Sequence, residues 1–142
     1  MALYAVYEST VTEIGRLIQG KQSQKISIND LKGDFLSRAK KYFKHILKFE
    51  LCSDENEWQK VKMLSELRNA FAHANGRLDM LNEKSRKFIK NWAQQELGIS
   101  THSGYVICEE NMVDEIFGAT RSSLEDLIDR YKQWDDQHRH IR

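Results

Sequence analysis

The chain contains no proline, and only seven glycines interrupt its 142 residues. β-sandwiches and barrels place turn formers at short, regular intervals, and a chain this poor in them cannot supply those turns. Its apolar residues instead recur at three- and four-residue spacing over long stretches, which is the period of a helix. We expect an all-α fold, a bundle of four or five helices, formed as one domain over residues 1–142.

The stretches can be placed. A first helix from Ala2 to Ile18 turns Val11, Ile14, Leu17 and Ile18 inward and ends at Gly20, a residue suited to a left-handed cap. A polar link covers Lys21 to Lys25. A second helix, capped by Asn29 or Asp30, runs to Leu51 with Leu31, Phe35, Ala39, Tyr42, Phe43, Ile46 and Leu47 inward. Its other face carries Lys40, Lys41, Lys44 and Lys48. A third helix starts in the acidic run Ser53 to Glu57, where Asp54 and Glu57 have capping-box spacing, and stops at Gly76. A fourth covers Asn82 to Leu97, with Phe88, Ile89, Trp92 and Ala93 inward. Tyr105-Val106-Ile107 is a short extended piece. A fifth helix covers Asn111 to Trp134, and the polar tail from Asp135 to Arg142 reads as frayed.

The third helix carries the segment with the most chemistry, Arg68-Asn69-Ala70-Phe71-Ala72-His73. With about 100° per residue and Arg68 at zero, Asn69 lies near ~100° and His73 near ~140°. Met63, Leu64, Leu67, Ala70, Phe71 and Ala74 fall between roughly 200° and 320°, which makes that arc the core stripe. Arg68, Asn69 and His73 thus lie off the face the helix needs for its core, with Lys62, Ser65 and Glu66 around them. Val61 and Ala72 sit beside Arg68 as a small apolar patch of the kind a protein contact uses. Histidine changes protonation near neutral pH without help from its surroundings, and arginine is a permanent, forked cation that matches a phosphate. Periodicity alone also allows a plain solvated face on which the three happen to be neighbours.

Charge narrows the partners. The net charge is +1 and the pI about 7.8, so contact with a nucleic acid has to come from a local patch. Lys62, Lys41 and Lys44 are the candidates for holding an RNA backbone, although lysines at four-residue spacing are common on solvated helices. No glycine-rich phosphate loop is present. Cys52 and Cys108 are far apart in sequence and have no companions at metal-ligand spacing; the sequence leaves a disulfide between them open without motivating one, and a reduced compartment is the simpler reading. His45, His102, His138 and His140 also lack such companions, so no metal or other cofactor is expected. The start Met1-Ala2-Leu3-Tyr4 lacks the basic and apolar regions of a signal peptide, and no run is long enough to span a membrane. These features together read as cytoplasmic.

An all-helical chain of this size, with Arg68, Asn69 and His73 at the end of a central helix, resembles the HEPN superfamily. That family's signature is an Arg, four to six residues and a His, usually with a polar residue directly after the Arg. The likeness covers most of the chain in architecture and about six residues in motif. It implies a metal-independent endoribonuclease in which both motifs of a homodimer line one cleft. His73 would then move protons, Arg68 would stabilise the charged phosphate, and Asn69 would hold His73 or the backbone in position. It further implies a toxin or defence effector with an antitoxin or regulatory protein as partner. Family members that are toxins modified by a nucleotidyltransferase often carry Tyr two residues after the motif His; here that position is Asn75. The alternative is a catalytically silent HEPN-like module that binds a partner protein or nucleotide. A structural bundle without a site is a third reading.

Overall fold

The computed structural model describes residues 2–139. It is all-α in class: five α-helices and one small hairpin make up its principal elements among the described residues. These are α1 (Ala2–Gln22), α2 (Phe35–Lys41), α3 (Glu55–His73), α4 (Glu83–Gln94), β1 (Ile99–His102), β2 (Tyr105–Cys108) and α5 (Glu110–Arg139). Packing gathers the chain into two compact units. One is Gln59–Thr120; the other is Ala2–Trp58 with the chain from Arg121 on.

The second of these units buries Tyr4, Tyr7, Val11, Ile14 and Ile18 of α1 together with Leu36, Ala39, Tyr42, Phe43 and Leu47. α1 continues past Gly20 to Gln22, so the expected glycine stop is not used. Ser23 takes the left-handed conformation (φ 56°), Gln24 N–H donates to the Gln19 carbonyl at 3.0 Å, and Ser23 N–H donates to that of Gly20 at 3.3 Å. That pair of bonds is a Schellman cap. Tertiary anchors hold the extra turn: Gln22 donates to the Leu47 carbonyl at 2.8 Å, and Lys21 ion-pairs with Asp135.

The expected second helix is broken into pieces. Gly33 has φ +115°, a conformation that favours glycine and interrupts the helical path. Asp34 then caps α2, accepting from Ser37 N–H at 2.9 Å. α2 widens into a π-helix over Tyr42–Leu47, and Lys48 ends it in the left-handed region. Leu36 is buried while Leu31, Phe35 and Ile46 are half-buried: Leu31 precedes the break at Gly33, and the wider turn shifts the facing of residues only from Tyr42 on. Phe49 and Leu51 are buried outside any helix, and Arg130 holds that segment by donating to the carbonyls of Glu50 and Leu51.

α5 reaches Arg139, beyond the expected end at Trp134. Asp135 is 8% exposed and pairs with both Lys21 and Arg139, which explains why this part of the tail is ordered helix. His140 and the last two residues of the tail lie outside the described residues. His138, to which the sequence assigns no chemistry, stacks on Trp134 with ring centroids 4.2 Å apart.

Tyr7 offers a direct test of this packing. It is fully buried, and its hydroxyl has no hydrogen-bond partner of ordinary geometry. Ser123 approaches it, but the Ser123 hydroxyl is directed at Cys52 Sγ, 3.6 Å away. Burial pushes the phenol well above its usual value; Cys52 and Tyr4 add to the effect and Ser123 opposes it. The folded chain therefore keeps a proton that the unfolded chain loses near pH ~10. This contribution to stability is whole below that pH and is lost as pH rises above it. Tyr7→Phe is expected to raise the unfolding free energy at pH 7 by about 1 kcal/mol, because a buried unsatisfied hydroxyl is removed. It should also flatten the fall in stability above pH ~10. Denaturant titrations at neutral and alkaline pH check both, and a less stable variant would show that the hydroxyl has a partner.

Candidate active site

The other unit, Gln59–Thr120, holds the motif. Asp54 caps α3, its carboxylate accepting from Glu57 N–H at 3.1 Å. Its stripe of Met63, Leu64, Leu67, Ala70 and Ala74 is buried, as the periodicity requires. Two positions differ. Val61, read as part of an exposed patch, is 0% exposed. Burial reaches farther round the middle of α3 than one stripe, so a valine at ~20° on the wheel is enclosed. Phe71, read as core, is 41% exposed. It lies in the last turn, where cover on that flank has ended. The Val61–Ala72 patch is therefore absent; only Ala72 is at the surface.

Arg68 and Asn69 are half-buried, and His73 is exposed. On a regular helix Asn69 and His73 are near neighbours, about 6 Å apart along the axis and separated by ~40°. Arg68 lies ~140° from His73, so the guanidinium and the imidazole flank the amide. Arg68 is engaged by a neighbouring group. Glu66, read as a surface residue, is half-buried, and its Oε2 is enclosed without a hydrogen-bond partner.

The helix ends abruptly behind His73. Asn75 and Gly76 are both left-handed, with φ 51° and 80°, and Gly76 N–H donates to the Ala70 carbonyl at 2.7 Å. The chain then pairs with the hairpin. Val106 N–H donates to the Gly76 carbonyl at 2.7 Å, Leu78 N–H donates to that of Gly104 at 2.8 Å, and Arg77 bridges Tyr105. The sequence reading found the Tyr105 strand but missed its partner, Ile99–His102. Ser103-Gly104 has the two positive φ angles, 51° and 82°, of a primed hairpin turn, and a serine in the first position hid that signal. Gly98 (φ +88°) leads into β1, and a Cβ there would stand 2.9 Å from Met112 Cβ.

The lysines are distributed unequally. Lys62 lies at ~120° on the α3 wheel, between the azimuths of Asn69 and His73, but about 10 Å down the axis from Asn69. Lys41 and Lys44 are exposed and belong to the other unit. There Lys40 stands over the Trp58 ring, 4.4 Å from its centroid. Trp58 and Trp92 are buried, and Trp134 is half-buried. Cys52 and Cys108 are free thiols, both pushed above the usual value by burial. Among the described residues no group of three or more His, Cys, Asp or Glu could hold a metal ion.

Cations of the motif's own unit escaped the sequence reading. Arg86, Lys87 and Lys90 of α4 line a groove of about 480 Å³ with Gly104 of the hairpin turn. The four-residue spacing of Arg86 and Lys90 was visible, but not that a hairpin turn would close the other wall.

No family model matches the chain, and no curated protein or solved structure is significantly similar to it. No helix among the described residues is long and apolar enough to cross a membrane.

Proposed function

We propose that the chain is a metal-independent endoribonuclease of HEPN type. The observation that carries this is the position of Arg68, Asn69 and His73: on the last turns of α3, off the buried stripe, with His73 open to solvent. In the reaction, the 2′-oxygen of a ribose attacks the adjacent phosphorus while His73 takes its proton. The bond to the 5′-oxygen breaks, that oxygen is protonated as it leaves, and the products are a 2′,3′-cyclic phosphate and a 5′-hydroxyl. Arg68 balances the charge that builds on the non-bridging oxygens. Asn69 positions His73.

Two proton transfers and one motif histidine per chain point to a homodimer, in which the second His73 protonates the leaving oxygen. Arg68 and His73 lie on opposite flanks of Asn69, which also suits a cleft shared by two copies. Light scattering is expected to give twice the chain mass at micromolar concentration; a monomer at high micromolar concentration would remove the shared cleft. A toxin or defence role, an antitoxin or regulatory partner and a cytoplasmic setting follow from the same family likeness, and two free thiols suit a reducing compartment.

One observation favours the second reading, a silent module that binds a partner protein or nucleotide: Arg68 is half-buried and already engaged. The deciding experiment is incubation of mixed cellular RNA with the wild type and with His73→Ala. Cleavage by the first and not the second supports the nuclease; no cleavage by either supports the silent module.

A further inference from the structure

Two exposed aromatic rings approach the same glycine beside the end of α3. β2 alternates, with Val106 buried and Tyr105 and Ile107 outward. Tyr105 pairs with His102 on one side and with Arg77 on the other, so the three share the outward face of the hairpin. Gly76 is the point of approach. A Cβ there would lie 3.4 Å from the Phe71 ring and 3.8 Å from that of Tyr105. Glycine at φ +80° thus lets both rings close on one piece of backbone. They remain 41% and 49% exposed. Leaving two such rings in water forgoes burial that a fold ordinarily uses.

The groove that begins at Gly104, next to Tyr105 in the chain, has one sign of charge to spare. In the groove beyond the hairpin turn, the carboxylate of Asp79 is paired with Arg77 at 2.8 Å and that of Glu83 with Lys87 at 3.4 Å. Arg86 and Lys90 line the same groove one helical turn apart, beyond those two pairs. Rings with open faces, next to cations in excess of carboxylates, match a single-stranded nucleic acid. A duplex hides its base faces, and a purely apolar partner would leave the cations unmatched.

We propose that this surface binds single-stranded RNA, with two nucleobases stacked on Phe71 and Tyr105 and the phosphate backbone continuing over Arg86 and Lys90. The inference rests on the nuclease reading of the adjacent Arg68–His73 motif and names its substrate class. On the α3 wheel Phe71 lies ~60° from Arg68 and ~160° from His73, so a strand held on the platform meets the motif from its Arg68 side.

The test separates binding from cleavage. The 142-residue chain carrying His73→Ala is titrated with a labelled single-stranded RNA of mixed sequence and with the same RNA as a duplex, read by fluorescence anisotropy. The single strand is expected to bind at least tenfold more tightly. Adding Phe71→Leu or Tyr105→Leu keeps apolar area but removes the ring. Each should weaken single-strand binding by about 5- to 150-fold, the equivalent of about 1–3 kcal/mol per stacked base. Arg86→Gln with Lys90→Gln should reduce the slope of log affinity against log salt by about 1.4, at ~0.7 per phosphate contact on a single strand. Unchanged single-strand affinity in both leucine variants, or equal binding of the duplex, overturns the platform even if the wild type cleaves RNA. Conversely, ring-dependent binding without cleavage by the wild type keeps the platform and removes the nuclease. If the leucine variants change the oligomeric state and not RNA affinity, the rings serve contact between copies and the proposal fails.

Discussion

His73→Ala is expected to abolish RNA cleavage while leaving the fold intact. A positioned general acid or base contributes about 10²–10⁴-fold in rate, and one substitution removes it from both sites of a shared cleft. Arg68→Ala should cost on the order of 10²–10³ in rate, by analogy with the loss of a single preorganised donor to a developing charge. Asn69→Ala should fall between these variants and wild type, because the amide positions a group and carries no proton. His73 is exposed and lies off the buried stripe, so its replacement leaves the core of α3 untouched. Single-turnover cleavage of a defined oligonucleotide, with thermal melts of each variant, measures both parts. Products ending in a 2′,3′-cyclic phosphate and activity that persists in a chelator are the expected signatures. Cleavage that survives His73→Ala, or that a chelator stops, would refute the mechanism. If all three variants unfold, the motif is structural and the silent module takes its place.

The largest effect on stability is expected from Phe43→Ala. The ring is 0% exposed and sits edge-on to Tyr42 and to Phe49, with centroids 6.4 and 6.3 Å away. A Cβ at Gly15 of α1 would already stand 3.3 Å from it, so the backbone of α1 approaches closely on that side. Removing such a ring costs about 3–5 kcal/mol, made up of lost transfer energy and the cavity left behind. That is a large part of the 5–15 kcal/mol typical of a whole domain. Guanidinium titration should show a much lower midpoint with little change in slope. Ile26→Ala is the control, because Ile26 is 43% exposed and its loss should be nearly neutral. A cost below about 1.5 kcal/mol for Phe43→Ala would mean the π-helical segment packs less tightly than these distances require.

The sequence by itself determined the class of fold and the face of α3 on which the motif lies. Both depend on local, repeating properties. Without proline and with few glycines the backbone had no cheaper option than helix, and residues at three- and four-residue spacing share a face wherever a helix forms. The buried Met63, Leu64, Leu67, Ala70 and Ala74 leave Arg68, Asn69 and His73 outside for that reason alone. The tertiary structure decided how far burial spreads beyond a stripe and where each helix stops. Val61 is enclosed and Phe71 is open because cover depends on what else packs at that height of α3, which periodicity does not encode. α1 runs past Gly20 because Gln22 and Lys21 find partners 25 and more residues away, at Leu47 and Asp135. α5 persists through Asp135 for the same reason. The cations of α4 and the rings of Phe71 and Tyr105 were each visible as residues. Only the turn at Ser103-Gly104 and the left-handed Gly76 brought the hairpin to the end of α3, because pairing between segments 30 residues apart is set by backbone hydrogen bonds that no local pattern specifies.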